Sequence, residues 1–335
     1  MNKSIRPVAV VLVAGLSLAM VGCSSGGSDD GGEVSLGLGN VLSETHPWNV
    51  CGADAMVTSL EESGAGVSLE VYPAGQTQAD TLEQLDALQS GTLDLTFAGP
   101  AQLATRSEVL NIFDAAYMFR DADHLLEVMN GEIGDEVFGD LADESGLNVL
   151  STGYYGTRHV TANKPVTEPS DLDGMKLRVI DSPLWIDNAK AIGAEPTPVA
   201  FAELYLALQQ GVVDAEENPL PTISSEKFFE VQDYVSLTAH NIGAESIVAS
   251  QTALDKLSDS QVEALNEAAI AGAEAATKCI QDEEDDLLKE WSAEDSPIEV
   301  VTDVDLDAFS QAAEDYLLPK YGDQWGDLYD RIRNS

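Results

Sequence analysis

The stretch DLDGMKLRVIDSPLWIDNAKAIGAEPTPVAFAELYLALQQGVVDAEENP, Asp171 to Pro219, decides the fold. Met175 to Ile180 leaves a turn at Gly174 and ends in β-branched residues, which predicts a short strand. An amphipathic helix, a Pro-bounded loop and a second helix follow. Ala202 to Gln210 sets Leu204, Leu206 and Leu208 among good helix formers, and Gly211 suits the position just past a helix end. Val212, Val213 and Asp214 open another extended segment, and the acidic turn Glu216-Glu217-Asn218-Pro219 closes the stretch. Arg178 falls near the end of its strand. Ligands of α/β sheets gather beyond the carboxyl ends of strands, so an arginine there is placed to meet an anion. The ordinary alternative is a surface ion pair.

Charge sharpens that choice. Once the N-terminal leader is removed, 14 Lys and Arg stand against 59 Asp and Glu, a formal charge of −45 compared with −43 for the full chain. The six remaining arginines are Arg106, Arg120, Arg158, Arg178, Arg331 and Arg333, the last two in the C-terminal tail. So acidic a protein must supply local positive charge to hold an anion, and the planar fork of Arg grips a carboxylate through two charge-assisted hydrogen bonds. Arg158 and Arg178 are the candidates. The same acidity argues against nucleic acid as a partner, because a polyanion meets repulsion rather than counterion release. It is also compatible with a saline habitat.

Upstream, Glu33 to Gly39, Val67 to Tyr72 and Leu93 to Phe97 read as strands. Ala79 to Gln89, with Leu82, Leu85 and Leu88, reads as a helix, and another begins after Ser43. This βαβαβ alternation implies a parallel sheet covered by helices, hence an α/β fold. The loops after two of these strands, Tyr72-Pro73-Ala74-Gly75-Gln76 and Phe97-Ala98-Gly99-Pro100, face one cleft. Gln76 is either a ligand contact there or a plain turn residue. His46 and Trp48 touch ligand or pack the first helix, and packing is the preferred reading. Asn111 to Phe119 is an apolar run that suits a strand or a connecting segment, and helices follow from Asp121 to Glu144. Leu147 to Tyr155 is extended and leads into Gly156-Thr157-Arg158. Tyr234 to Thr238 and Glu245 to Gln251 read as separate extended runs. Ser258 to Trp291 is Pro-free and Ala-rich, a helix of about 45–50 Å. Trp325 and Tyr329, spaced i and i+4 in a C-terminal helix, form a packing pair.

Residues 1–22 form a leader: Lys3 and Arg6, an apolar stretch from Val8 to Met20 too short for a comfortable bilayer span, and small residues before Cys23. Val21-Gly22-Cys23 resembles a bacterial lipobox, which makes Cys23 the acylated first residue of the mature chain. Ser24 to Gly32 is then a flexible tether. The four His, at 46, 124, 159 and 240, and the three Cys show no metal-binding spacing. No phosphate loop, nucleophile elbow or nucleotide motif appears, so no cofactor is expected.

DLDGMKLRV followed by GAEPTPVAFAELYLALQQGVVDAEENP resembles the signature region of the DctP-type solute-binding proteins of TRAP (tripartite ATP-independent periplasmic) transporters. HPW, VYPAGQ, LQSGTLDLTFAGP and GYYGTRHV fit the same family in the same order. Ala215 and Glu216 depart from the family's usual Gly and Gln before Glu-Asn, and Cys51 and Cys279 lie outside its pattern. The resemblance implies a two-lobed, periplasmic-binding-protein-like (Venus-flytrap) fold with a ligand cleft between the lobes and a long helix spanning both. It divides the chain into the signal peptide 1–22, the tether 23–32, lobe I at 33–155 and lobe II at 156–243. The return strand and long helix of lobe I occupy 244–283, and 284–335 belongs mostly to lobe II. It implies that Arg178 is the principal carboxylate-binding residue, Arg158 a second polar contact and Asn218 a hydrogen-bonding partner. Phe201 covers the ligand's apolar side, and Gln76 reaches across from lobe I.

The function so implied is an extracytoplasmic, lipid-anchored receptor, expected as a monomer, that captures a small organic acid and delivers it to a membrane permease. An exported hydrolase and the ligand-binding component of a sensor are the alternatives. With Cys23 acylated, Cys51 and Cys279 remain as an even pair in an exported protein. That favours a disulfide over two buried thiols.

Overall fold

The protein is described by a computed structural model over residues 32–335; the leader, Cys23 and most of the expected tether lie outside the described residues. β1 (Val34–Gly39), β2 (Val67–Tyr72) and β3 (Leu95–Ala98) pair in parallel, with α1 (Asp54–Ser63) and α2 (Thr81–Ser90) between them. The Asp80 carboxylate caps α2 by accepting the Leu82 N–H at 2.8 Å, while Gly91 ends it at φ 73°. Short α3 (Pro100–Leu103), then α4 (Ala122–Met129) and α5 (Glu132–Ser145), lead to β4 (Leu147–Ala162). The second half is built from β5 (Lys176–Val179), α6 (Pro183–Ala191), β6 (Glu195–Pro198), α7 (Leu204–Gln209), β7 (Ala215–Pro219) and α8 (Leu220–Ser225). Here β5 runs parallel to both β6 and β7. The chain then follows β8 (Tyr234–Ser250), α9 (Gln251–Leu254), α10 (Asp259–Trp291), β9 (Glu299–Val301), α11 (Leu306–Trp325) and α12 (Asp327–Asn334).

Within the described residues these strands form one nine-stranded sheet, in the order β2-β1-β3-β8-β4-β7-β5-β6 with β9 joined to β8. It is a two-lobed α/β fold. The β1–β3 half and the β5–β7 half are linked by β4 and β8, two long antiparallel strands that serve both. β8 replaces the two separate runs expected at 234–238 and 245–251. The polar residues between them break the alternation of side chains, yet β4 supplies backbone partners on both sides of Leu237 to His240, which pair with none of its residues. The ladder accommodates the break by irregularities between Val149 and Ser151, Tyr154 and Gly156, and Arg158 and Val160.

At Gly156 the backbone has φ +128°, and a Cβ would lie 2.3 Å from the Pro219 Cβ, so no side chain fits. The Glu284 carboxylate of α10 grips the same bend. It accepts the Thr157 N–H at 2.7 Å and the Tyr154 hydroxyl at 2.8 Å. Asn111 to Phe119 makes no strand. Glu108–Asp114 is a 3-10 turn, and the carbonyl of Asp114 accepts from the side chains of Asn188 at 2.8 Å and Asn241 at 3.1 Å. Side-chain donors from β8 and α6 thus do what ladder partners would otherwise do.

α10 spans 33 residues behind a capping box made by Ser258 and Gln261. Its Ala264, Leu265, Ala268, Ala273 and Ile280 pack with Trp48, Met56 and Leu60 in the first lobe. Further on, Leu287 and Trp291 join Leu204, Leu208 and Phe228 in the second. Each large apolar side chain so buried contributes about 1.5–3 kcal/mol. Cys51, in the helical turn before α1, is bonded to Cys279 of α10 with Cα atoms 6.6 Å apart, so the two cysteines are not free thiols.

The C-terminal helices pack on both lobes. Phe309 packs in the second lobe. Ala313, Leu317, Tyr321, Trp325, Leu328 and Ile332 join Leu85, Phe113, Leu125 and Phe138 of the first lobe together with Leu184 and Ala191 of α6 in the second, and the Tyr316 hydroxyl donates to Asp187 of α6 at 3.2 Å. Trp325 stacks on Tyr329 at 6.0 Å.

Candidate functional site

The strand ends of both halves and the bends of β4 and β8 converge on a cavity of about 350 Å³. First-lobe residues on its wall include Leu42, Leu82, Gly99 and Asp114. The second lobe gives Arg158, Arg178, Trp185, Phe201 and Asn218, and β8 gives Asn241 and Glu245. Its volume lies at the small end of the range for ligand pockets.

Arg158 and Arg178 share this wall but differ in state. The Arg158 guanidinium is locked in a two-point pair with Glu217, Nε to Oε2 at 2.6 Å and Nη2 to Oε1 at 2.9 Å. Nη2 also donates to the Glu217 carbonyl at 2.6 Å and to Asn218 Oδ1 at 3.0 Å. The Trp185 ring lies 4.7 Å from its central carbon. Burial disfavours the Arg158 charge, but Glu217 more than compensates and raises its pKa. Burial likewise disfavours the Glu217 charge, yet Arg158 together with His240, 3.2 Å away, holds Glu217 below the usual carboxylate range.

Arg178 has no such partner. It is 4% exposed, its Nε donates to the Val199 carbonyl at 2.9 Å, and its guanidinium stands 5.7 Å from the centre of the Phe201 ring. Among the described residues no carboxylate lies within ion-pair distance of it. Burial pulls its pKa down to about 10, so it stays protonated at neutral pH. It is a fixed cation, buried at the cavity wall without its own anion.

Asn218 links Arg158 to Glu216. Its Oδ1 accepts from Arg158, and its Nδ2 donates to Glu216 Oε2 at 2.6 Å. Glu216 also accepts from Thr161 at 2.7 Å, and burial pushes it up to about 7. Two further acids face the cavity. Burial raises Asp114 to about 6, and burial followed by the nearby charge of Asp114 raises Glu245 to about 8. His46 and Trp48 are packing residues. Trp48 is fully buried against Phe97, and His46 stacks on Tyr155 and hydrogen-bonds Thr222 at 3.1 Å, tying the first-lobe loop to α8. Burial lowers His46 to about 3, so it is neutral.

Of the residues singled out from sequence, Arg178, Arg158, Asn218 and Phe201 thus meet in one cavity. Gln76 does not. It is exposed in the turn after β2, and the wall on that side is made by Asp80, Thr81 and Leu82 instead. Sequence reasoning passed over Asp114 and Glu245, and each carried a signal, a lone acid inside an apolar or small-residue run. Among the described residues no group of three His, Cys, Asp or Glu is arranged to hold a metal ion, and no helix is long and apolar enough to cross a membrane.

Residues 38–321 match the family described as bacterial extracellular solute-binding protein, family 7. The sialic acid-binding periplasmic protein SiaP of Vibrio cholerae is 33% identical over 266 residues, covering 78% of this chain and 81% of its own. A TRAP periplasmic solute-binding protein of Roseobacter denitrificans, solved with bound 3-deoxy-D-manno-oct-2-ulosonic acid, is 30% identical. It superposes with a TM-score of 0.84, covering 90% of this chain and 99% of that one. A second from the same organism, with bound L-galactonate, is 29% identical with a TM-score of 0.83 over 90% and 99%. The chain therefore belongs to the bacterial extracellular solute-binding proteins of family 7, the solute-binding proteins of TRAP transporters.

Proposed function

We propose that this protein captures a small organic acid outside the cytoplasm, holding its carboxylate on Arg178, and delivers it to the permease of a TRAP transporter. The observation that carries the reading is the contrast between the two arginines. Arg158 is neutralised by Glu217 within the protein, whereas Arg178 is buried, charged and without an anion. A buried charge left unpaired is costly, and a ligand carboxylate with the geometry of the guanidinium fork removes that cost. Arg158, already fixed, lends Nη1 as a further donor, Asn218 adds a polar contact, and Phe201 covers the ligand's apolar side. The relatives support the choice of ligand chemistry, since sialic acid, 3-deoxy-D-manno-oct-2-ulosonic acid and L-galactonate are all carboxylic acids. Lobes that each contribute wall to the cavity close on the ligand by contacts made to both sides.

Calorimetry of the mature protein against a panel of small carboxylic acids and their neutral amides tests the reading. At least one acid should bind while its amide does not. Equal binding of acid and amide would remove Arg178 from the role.

Cys23, outside the described residues, is proposed as the site of a lipid anchor on the strength of Val21-Gly22-Cys23 after an apolar leader. Replacing it, Cys23→Ser with the leader retained, should move the protein from the membrane fraction to the soluble one. An unchanged membrane fraction would exclude acylation at this residue as the anchor.

A further inference from the structure

Glu216 stands beside Glu217 on β7 but differs from it in what holds its charge. Glu217 has the Arg158 guanidinium and His240 on its oxygens. Glu216 is fully buried, and among the described residues no cation lies within ion-pair distance of it. Its Oε2 accepts from Asn218 Nδ2 at 2.6 Å and its Oε1 from the Thr161 hydroxyl at 2.7 Å. The same hydroxyl lies 3.4 Å from Gln232 Oε1, whose amide nitrogen is already committed to the Val231 carbonyl. Both protonation states of Glu216 are therefore satisfied. Ionised, it accepts from Asn218 and Thr161. With a proton on Oε1 it donates to the Thr161 oxygen, and the Thr161 hydrogen turns to Gln232. One hydroxyl rotation separates the two states, and neither strands a buried polar group.

The charged and titratable groups around Glu216 are Arg158 and His159 of β4, Arg178 of β5, Glu217 beside it and His240 of β8. Asp114 and Glu245 stand across the cavity, where Arg158 opposes the rise of both. His159 is neutral, lowered to about 3 by burial and then by His240. Burial raises Glu216 to about 7; the bonds from Asn218 and Thr161 oppose the rise, Glu217 adds to it and Arg158 opposes it. Burial also disfavours the charge on both guanidinium groups, and Glu217 first and Glu216 after it act to keep that charge. A ligand carboxylate on Arg178 takes over that role. It neutralises the cation that favours ionised Glu216 and adds a negative charge in the same water-poor space, so the protonated form gains. We propose that capture of the ligand's carboxylate is coupled to uptake of a proton by Glu216, so that solvent supplies part of the positive charge that holds the anion. The coupling rests on the reading that Arg178 holds the carboxylate. The proton comes from buffer while the lobes are apart, forms the O–H bond at Oε1 and returns to solvent on release. Asn218, which lines the cavity and bonds both Arg158 and Glu216, joins the two sites. Because binding takes up a proton, affinity is level where Glu216 is already protonated and falls as pH rises through about 7.

Calorimetry of the mature protein in phosphate and in Tris, buffers of unlike ionisation enthalpy, reads the proton directly. The probe is the tightest binder among a set of aldonates, uronates and linear dicarboxylates, which are ionised near neutral pH and bring no proton of their own. At pH 7.5 about half a proton should be taken up per ligand, and affinity should fall about threefold or more from pH 7 to pH 8.5. Glu216→Gln keeps the shape and the bonds to Asn218 and Thr161 but cannot titrate, so it should lose most of the uptake and flatten the pH profile. Equal proton-corrected heats in the two buffers for the parent overturn the proposal. So does uptake unchanged in a Glu216→Gln protein that melts like the parent; weaker binding with that uptake intact would make Glu216 only a support for Asn218. Should Glu216→Gln fail to fold, Thr161→Val serves: the ionised acid loses a donor, so the window of uptake should move to higher pH, and an unmoved window overturns the coupling. If no acid of the set binds the parent, the carboxylate reading of Arg178 has failed and the coupling falls with it. Binding that is lost in Arg178→Ala but takes up no proton leaves that reading standing and removes the coupling alone.

Discussion

Arg178→Lys should weaken binding of the cognate acid by about 2–4 kcal/mol, roughly 30-fold to 1000-fold, although the formal charge is kept. Three losses combine. The bidentate fork becomes a single point donor, so one carboxylate oxygen goes without its bond. The Val199 carbonyl, which accepts from Arg178 Nε at 2.9 Å, loses its donor inside the protein. And a Lys ammonium, whose ordinary pKa of about 10.4 lies below that of Arg, is carried toward neutrality by the burial that already pulls Arg178 down to about 10. Arg158→Ala should act through a different route, because it strands Glu217 at 2% exposure and disturbs stability along with binding. Calorimetry on the identified ligand, with melting curves beside it, separates the two. If Arg178→Lys binds within about threefold of the parent, a difference under 1 kcal/mol, the carboxylate sits elsewhere.

The second large effect is on stability. Cys51 and Cys279 are 228 residues apart in sequence, so their bridge closes most of the described chain into one loop. In the chain-entropy view a loop of this length removes much of the freedom of the unfolded chain, and losing the bridge costs about 3–5 kcal/mol. Cys51→Ala with Cys279→Ala should lower Tm by about 5–15 °C for a chain of this size while leaving ligand affinity in place. The cavity lies away from the bridge, and neither cysteine lines it. A double variant melting within about 1 °C of the parent would show that packing of α1 on α10 alone holds that corner of the lobe.

Much of this was legible in residues one by one. The strand ending at Arg178, the helix over Leu204 to Gln209 and the 33-residue α10 all follow from periodicity and from cap residues, which act locally. The pairing of Cys51 with Cys279 followed from counting cysteines. What stayed hidden was long-range. The unbroken β8 depends on β4 offering partners on the far side of a polar interruption, and no local signal in Ala239 to Gly243 reports that. The 3-10 turn in place of a strand at Asn111 depends on side chains of Asn188 and Asn241. The packing of α11 against both the first lobe and α6 joins residues far apart in sequence, which no local pattern encodes.

At the site, the type of residue could be read but its commitment could not. Sequence presents Arg158 and Arg178 as equals. Only the register of β4 against β7, Arg158 opposite Pro219 and His159 opposite Asn218, brings Glu217 onto one guanidinium and leaves the other alone. Gln76 shows the converse: a polar residue in the expected loop whose turn points it to solvent.

The depth of Arg178 also separates how fast a ligand arrives from how firmly it is held. A chain carrying 59 acidic and 16 basic side chains surrounds itself with a negative potential, and an approaching anion must climb it before reaching the one cation that welcomes it. Dissolved salt flattens that climb over a screening distance of about 8–10 Å at ordinary ionic strength. It does little to the contact inside a closed cavity from which ions and water are excluded. Capture should therefore quicken as ionic strength rises, while release, governed by the buried guanidinium, changes little. In most receptors for charged solutes the field of the protein draws the solute in and salt slows its arrival. Here the repulsive surface and the attractive depth are separate, and brine works in the receptor's favour.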